Sequence, residues 1–185
     1  CGMILPTLED GVAQKMENAI MKAREEENSL GGIVEVMITG LKPGIGDPFF
    51  ESIESEISRM IFSVPAVKGI EFGAGFGIAK MTGYEANDEM YFDENGNIKS
   101  YTNNNGGIVG GISTGMPISF KVAIKPTPSI SKAQKTVNLE TKKSDILEVK
   151  GRHDPVIVPR AIVVLECATA IVILDRLLEA KKYRL

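Results

Sequence analysis

The densest set of reactive side chains lies near the C-terminal end, in Gly151-Arg152-His153-Asp154-Pro155 followed by Val158-Pro159-Arg160. This run holds two arginines, the only histidine of the chain, a carboxylate and two prolines. Arg, His and Asp in succession could relay protons or clamp an anionic ligand. They could equally close off a helix, because Asp154 precedes Pro155 as an N-cap residue precedes a first-turn proline. One histidine with the distant Cys1 and Cys167 lacks the ligand spacing of a zinc site. A second group, Lys125-Pro126-Thr127-Pro128-Ser129, joins a cation and two hydroxyls on a backbone stiffened by two prolines. Such groups suit a phosphate or another polyanion, since Lys supplies charge and the hydroxyls donate. They also read as a strand exit shaped by turn geometry alone. A third, between residues 106 and 115, carries five glycines, which allow a backbone to approach a ligand closely. It matches neither a Walker A loop nor a dinucleotide fingerprint, and a bulge or tight turn explains it as well. Gly73-Ala74-Gly75-Phe76-Gly77 fails the same test.

These groups need elements to position them. Val12, Met16, Ala19, Ile20 and Ala23 recur at helical spacing, so a helix is expected from residues 6–10 to Asn28. Residues 33–39 alternate as a half-buried strand, and Asp47-Pro48 predicts the start of a second helix lined by Ile53, Ile57 and Ile61. Strands are expected over 66–72, 118–124, 136–139 and 146–149, and a last helix within 155–178. Residues 82–107 are polar and read as a long exposed loop, with a hairpin at Asn95-Gly96. Successive strands favour an α+β fold, with an antiparallel sheet carrying helices packed on one face. The 185 residues fit a single domain.

A net charge of −3 gives no general pull toward nucleic acid or anionic membrane. The apolar stretch 161–174 is short of the roughly 20 residues that a membrane span needs, so it is expected as a buried core helix, with Cys167 a small buried hydrophobe. With no secretory signal in view and two unpaired cysteines, a cytoplasmic setting is expected.

Four segments together resemble the chorismate synthase family. They are Ser63-Val64-Pro65-Ala66-Val67-Lys68-Gly69-Ile70-Glu71-Phe72-Gly73, the stretch from Thr102-Asn103-Asn104-Asn105-Gly106-Gly107 to Ser113-Thr114-Gly115, Lys125 to Ser129 with Ile130-Ser131-Lys132, and the Gly151 to Arg160 run. Gly31-Gly32-Ile33-Val34-Glu35 and Asn87-Asp88-Glu89 add to them. The resemblance covers essentially the whole chain. It implies the conversion of 5-enolpyruvylshikimate 3-phosphate to chorismate and phosphate, an anti 1,4-elimination of the shikimate pathway that requires reduced FMN. By resemblance, flavin contacts fall on Pro65, Ala66, Gly110, Lys125, Pro126, Thr127, Pro128, Ser129 and Arg152. Asp154 matches the aspartate that assists proton removal at the flavin, and His153 becomes structural. No metal is implied. The resemblance further implies half of a β-α-β sandwich, a homotetramer and flavin reduction by a separate reductant or by NADPH.

The chain also departs from the family pattern. Asn105 stands where alanine is frequent, Pro128 where serine is frequent, and Val156 where cysteine is frequent. The family's Gly-Glu-Ser-His-Gly and Gly-His-Ala segments do not occur in this sequence, nor does its Ser-rich flavin segment. The expectation is therefore a C-terminal half that is inactive alone, with a non-catalytic FMN- or phosphate-binding module, or an assembly module, as the alternative.

Overall fold

In the computed structural model, which describes Thr7, residues 11–151 and residues 153–183, the chain divides into two compact units. Cys1–Gly32 and Lys125–Ala161 form one, and Ile33–Ile124 and Ile162–Leu185 form the other.

The larger unit is built on a three-stranded sheet. Its strands are β1 (Gly32–Ile38), β2 (Val67–Phe72) and the strand Ile118–Ile124, which is β7 in chain order, with spatial order β1-β7-β2. Strict alternation dictates the central strand: Ile118, Phe120, Val122 and Ile124 are all buried, and the residues between them are half-buried. β2 runs antiparallel to β7 from Val67 opposite Ile124 to Phe72 opposite Phe120. Phe72 and Phe120 meet at a ring separation of 5.4 Å. Helix α2 (Ile53–Phe62) covers β2 with Ile53, Ile57 and Ile61, spaced four apart on one face and wholly buried. Truncating any of them to alanine would cost about 2–5 kcal/mol.

The start of α2 differs from the expectation at Asp47-Pro48. Pro48 precedes only a 3-10 turn, Phe49–Glu51, and the helix begins at Ile53. Ser52 is the cap, its Oγ accepting the Ser55 N–H at 3.1 Å. Serine with helical isoleucines directly behind it outcompetes the earlier Asp-Pro pair.

Residues 82–107, expected as a long exposed loop, are largely exposed but ordered. A one-turn helix α3 (Gly83–Ala86) is closed by a capping box between Thr82 and Glu85. Strands β3 (Met90–Phe92) and β4 (Ile98–Ser100) form the hairpin around Asn95-Gly96. Residues 103–107 then turn inward, and Gly106 and Gly107 are buried. Strands β5 (Ile108–Val109) and β6 (Ile112–Ser113) follow as a second, very short hairpin.

The smaller unit contains α1 (Val12–Glu25) and an exposed ribbon of β8 (Gln134–Asn138) and β9 (Lys143–Leu147). The helix start read at residues 6–10 lies outside the described residues, apart from Thr7. Helix α4 (Val158–Tyr183) gives its first residues to this unit and the rest to the larger one.

The expectation of a buried last helix is corrected. Leu165, Ala168, Thr169 and Val172 bury one stripe of α4, while Val163, Ile171, Leu174 and Leu178 are exposed. Cys167 is exposed too, because on the helical wheel it falls on the face opposite the buried stripe. No described helix is long and apolar enough to cross a membrane. The elements are those of an α+β fold.

Candidate functional site

In the smaller unit, two of the chemically promising segments are fastened to adjacent residues. Ser29 is buried, and its Oγ donates to the Thr127 carbonyl at 2.6 Å. The next N–H, that of Leu30, donates to the Pro155 carbonyl at 2.7 Å, and Leu30 bridges Val156. The stretch 125–129 and the stretch 153–156 are thus both fixed by the residues that follow α1. Gln134 Nε2 holds the Pro128 carbonyl at 2.9 Å. With these carbonyls occupied, the Lys125 amine and the hydroxyls of Thr127 and Ser129 have no partner among the described residues. Lys125, Pro126, Pro128 and Ser129 are exposed, and Thr127 is half-buried. The result is one cation and two hydroxyl donors on a backbone tied down from behind, which suits an anionic group such as a phosphate. Sequence reasoning missed Ser29. Its signal was weak, because a serine after a helix reads simply as part of the helix end.

Asp154 does not cap α4. The chain turns at Pro155 and becomes helical only at Val158, where Pro159 occupies a first-turn position that needs no N–H. The Asp154 carboxylate instead meets Arg160 Nη2 at 2.7 Å and stays half-buried. It is a carboxylate oriented by a guanidinium, within reach of solvent or a ligand. The His153 Nε2 lies 2.9 Å from the Val149 carbonyl, a contact that fixes the ring. Arg152, expected as a flavin contact, lies outside the described residues.

Pro65, Ala66 and Gly110 belong to the larger unit. Pro65 and Ala66 link α2 to β2, at the end of the strand pair where Val67 faces Ile124. Ala66 takes a left-handed conformation, φ 73°, which costs a non-glycine residue roughly 1–2 kcal/mol. Strain of this kind persists only where the surroundings impose it, and it collects at functional sites. Gly110 and Gly111 form the turn between β5 and β6, with φ of 59° and 87°. Two left-handed residues in a two-residue loop are the requirement of a type I′ turn. The two glycines differ in their surroundings. A Cβ on Gly111 would strike the Asp47 carbonyl and Ser52, whereas one on Gly110 would meet nothing within 4 Å. Gly110 therefore presents bare, exposed backbone, the kind of surface on which a ligand can settle closely.

Beside this turn lies a pocket of about 170 Å³, whose walls include Asp88, Asn103, Asn105, Gly107 and Thr114. Asp88 is half-buried and accepts four hydrogen bonds. They come from Thr102 Oγ1 at 2.7 Å, Asn104 N at 2.7 Å, Asn105 N at 2.9 Å and Asn105 Nδ2 at 2.8 Å. Burial pushes its carboxyl pKa up, but the bonds from Thr102, Asn105 and Asn104 outweigh burial and hold it below the ordinary aspartate value. Sequence reasoning used Asn87-Asp88-Glu89 only as part of a pattern. Nothing in its spacing announced a carboxylate with four donors 14 to 17 residues away.

Comparison with known proteins adds context. The family model described as "Chorismate synthase" matches residues 3–178. A protein named "Chorismate synthase" from Methanothermobacter thermautotrophicus is 48% identical over 168 residues, covering 91% of this chain and 45% of the relative. One of the same name from Methanocaldococcus jannaschii is 49% identical over 166 residues, covering 90% of this chain and 44% of the relative. A solved structure titled "Crystal Structure of Chorismate Synthase" superposes with a TM-score of 0.73 at 33% identity, over 91% of this chain and 43% of that one. The chain thus spans less than half the length of the curated relatives it matches.

Proposed function

The chain belongs to the chorismate synthase family, and from that premise we propose that it furnishes one part of a flavin-dependent active site for 1,4-elimination of phosphate from 5-enolpyruvylshikimate 3-phosphate. The observation that carries the reading is the segment 125–129. Its Thr127 and Pro128 carbonyls are held by Ser29 and Gln134, while its amine and hydroxyls have no partner among the described residues. Those donors fit the phosphate of FMN. In the larger unit, taken by itself, the candidate flavin contacts are Gly110, with its bare backbone, Pro65 and Ala66. FMN, when bound in reduced form, supplies the transient electron that helps expel phosphate. Lys125, Thr127, Ser129 and Arg152 bind and orient, and Asp154 accepts a proton while Arg160 holds its carboxylate in place. Because the relatives are about twice as long, the remaining groups for turnover are those of the other half. In this reading the working protein is a cytoplasmic homotetramer that draws on a separate reductant or NADPH.

Titration of the chain with reduced and oxidised FMN tests this reading. Binding of reduced FMN that weakens about tenfold or more in Lys125→Ala supports it, since a charge-assisted contact to phosphate is then lost. No binding of either form favours an assembly module, a reading that the exposed Val163, Ile171, Leu174 and Leu178 of α4 would then carry. Turnover of the substrate by this chain alone would overturn the division of labour.

A further inference from the structure

Outside the groups assigned to the flavin, the Asp88 carboxylate of the larger unit accepts four hydrogen bonds from residues 14 to 17 positions away, and the geometry points to it as the positioning residue for the Gly110 turn. Its four donors all lie in residues 102–105, the stretch that feeds the β5–β6 hairpin. From there the connection is continuous. The Asn105 carbonyl accepts the N–H of Ile108, the first residue of β5, at 3.4 Å, and Gly110 is two residues on. The Asn104 carbonyl accepts the Ala74 N–H at 2.8 Å, and Asn104 Nδ2 donates to the Glu85 carbonyl at 3.1 Å. The Gly107 carbonyl takes the N–H of Thr114, just past β6, at 2.9 Å.

Asp88 thus fixes residues 104 and 105 from one side, and Gly73 packs against their backbone so closely that a Cβ there would strike the Asn104 carbonyl and Gly106. The amides of Asn104 and Asn105 converge on a single carboxylate, so only an ionised acceptor with free lone pairs can hold both together with Thr102 and the Asn105 side chain. Among the residues lining the adjoining pocket, Asp88 is the one ionisable side chain. The flavin part of the inference rests on reading Gly110 as a flavin contact. The positioning part does not.

The test uses the whole chain labelled with nitrogen-15. In Asp88→Ala, amide exchange at Asn105, Ile108 and Thr114 is expected to rise about tenfold or more, as charged hydrogen bonds are lost. The β7 amides should keep their rates. Unchanged exchange over 104–114 would overturn the proposal, even if FMN binding changed. In the unsubstituted chain, the amide resonances of Asn104 and Asn105 should titrate together in acid, below the ordinary aspartate range. Separate or absent titration would also overturn it. Should Asp88→Ala fail to fold, Thr102→Val removes one donor and leaves the carboxylate. It should then raise the shared titration midpoint, and no movement counts against the proposal. Reduced-FMN affinity is read in the same samples. If the unsubstituted chain binds no FMN, the flavin reading fails, while the exchange and titration results still decide the positioning role.

Discussion

Two hairpins of this chain invert the usual relation between length and rigidity. The β5–β6 hairpin has two residues in each strand, yet neighbours grip it at Gly111 and Ser113 while Gly110 stays open. Ile53 N donates to the Gly111 carbonyl at 3.1 Å, and Gly44 N donates to that of Ser113 at 2.9 Å. The buried Ser113 Oγ accepts the Ile45 N–H at 3.0 Å and donates to the Lys42 carbonyl at 2.7 Å. The β8–β9 ribbon has five residues in each strand and a complete ladder, but every residue of β9 is exposed. A two-stranded ribbon without a packed face is marginal in water. The comparison teaches that tertiary anchors fix a hairpin better than its own ladder does, and Gly110, the proposed flavin contact, sits on the anchored one.

The largest way to break the contrast is at Gly111. Alanine there incurs the left-handed penalty of about 1 kcal/mol and also collides with the Asp47 carbonyl and Ser52, an overpacking worth about 2 kcal/mol more. Urea denaturation of Gly111→Ala should show a loss near 3 kcal/mol in total. Gly110→Ala, with open space around its Cβ, should lose only the left-handed part, about 1 kcal/mol. Equal losses at the two glycines would refute the claim that the turn is gripped from one side only.

Ser29 should give an intermediate effect in the smaller unit. Ser29→Ala removes the hydrogen bond to the Thr127 carbonyl, a loss of about 1 kcal/mol by denaturation. Reduced FMN should bind more weakly as well, with the Lys125 charge still present. A stability loss with unchanged FMN affinity would show that Ser29 supports the fold without orienting residues 125–129.

Much of this arrangement was legible in the chain itself. The alternation of Ile118, Phe120, Val122 and Ile124 and the fourfold spacing of Ile53, Ile57 and Ile61 identify the core strand and the helix upon it, because period is a local property. The matched motifs identified the family in the same way. The N-cap of α2 was misread because Asp47-Pro48 is as good a local start signal as Ser52, and only the packing of Ile53 decides between them. The exposure of Val163, Ile171 and Leu174 was illegible, since an evenly apolar helix does not say which of its faces will be covered. The roles of Ser29 and Asp88 were hidden for a further reason. Each depends on partners brought near by tertiary folding, 98 residues away for Ser29 and 14 to 17 away for Asp88.

The smallest effect is expected on the ribbon. Val137 and Ile146 share one of its faces and are 62% and 69% exposed. Val137→Thr and Ile146→Thr should each change the stability of the chain by less than about 0.5 kcal/mol, as surface substitutions away from packed features do. The bond at Leu139, itself 85% exposed, or one beside it, should be the first cut in limited proteolysis within 134–147, with the β5–β6 region still intact. A loss of more than about 1 kcal/mol from either threonine would mean that this face is covered in solution. The contrast between the two hairpins would then be one between an anchor within the chain and an anchor supplied from outside it.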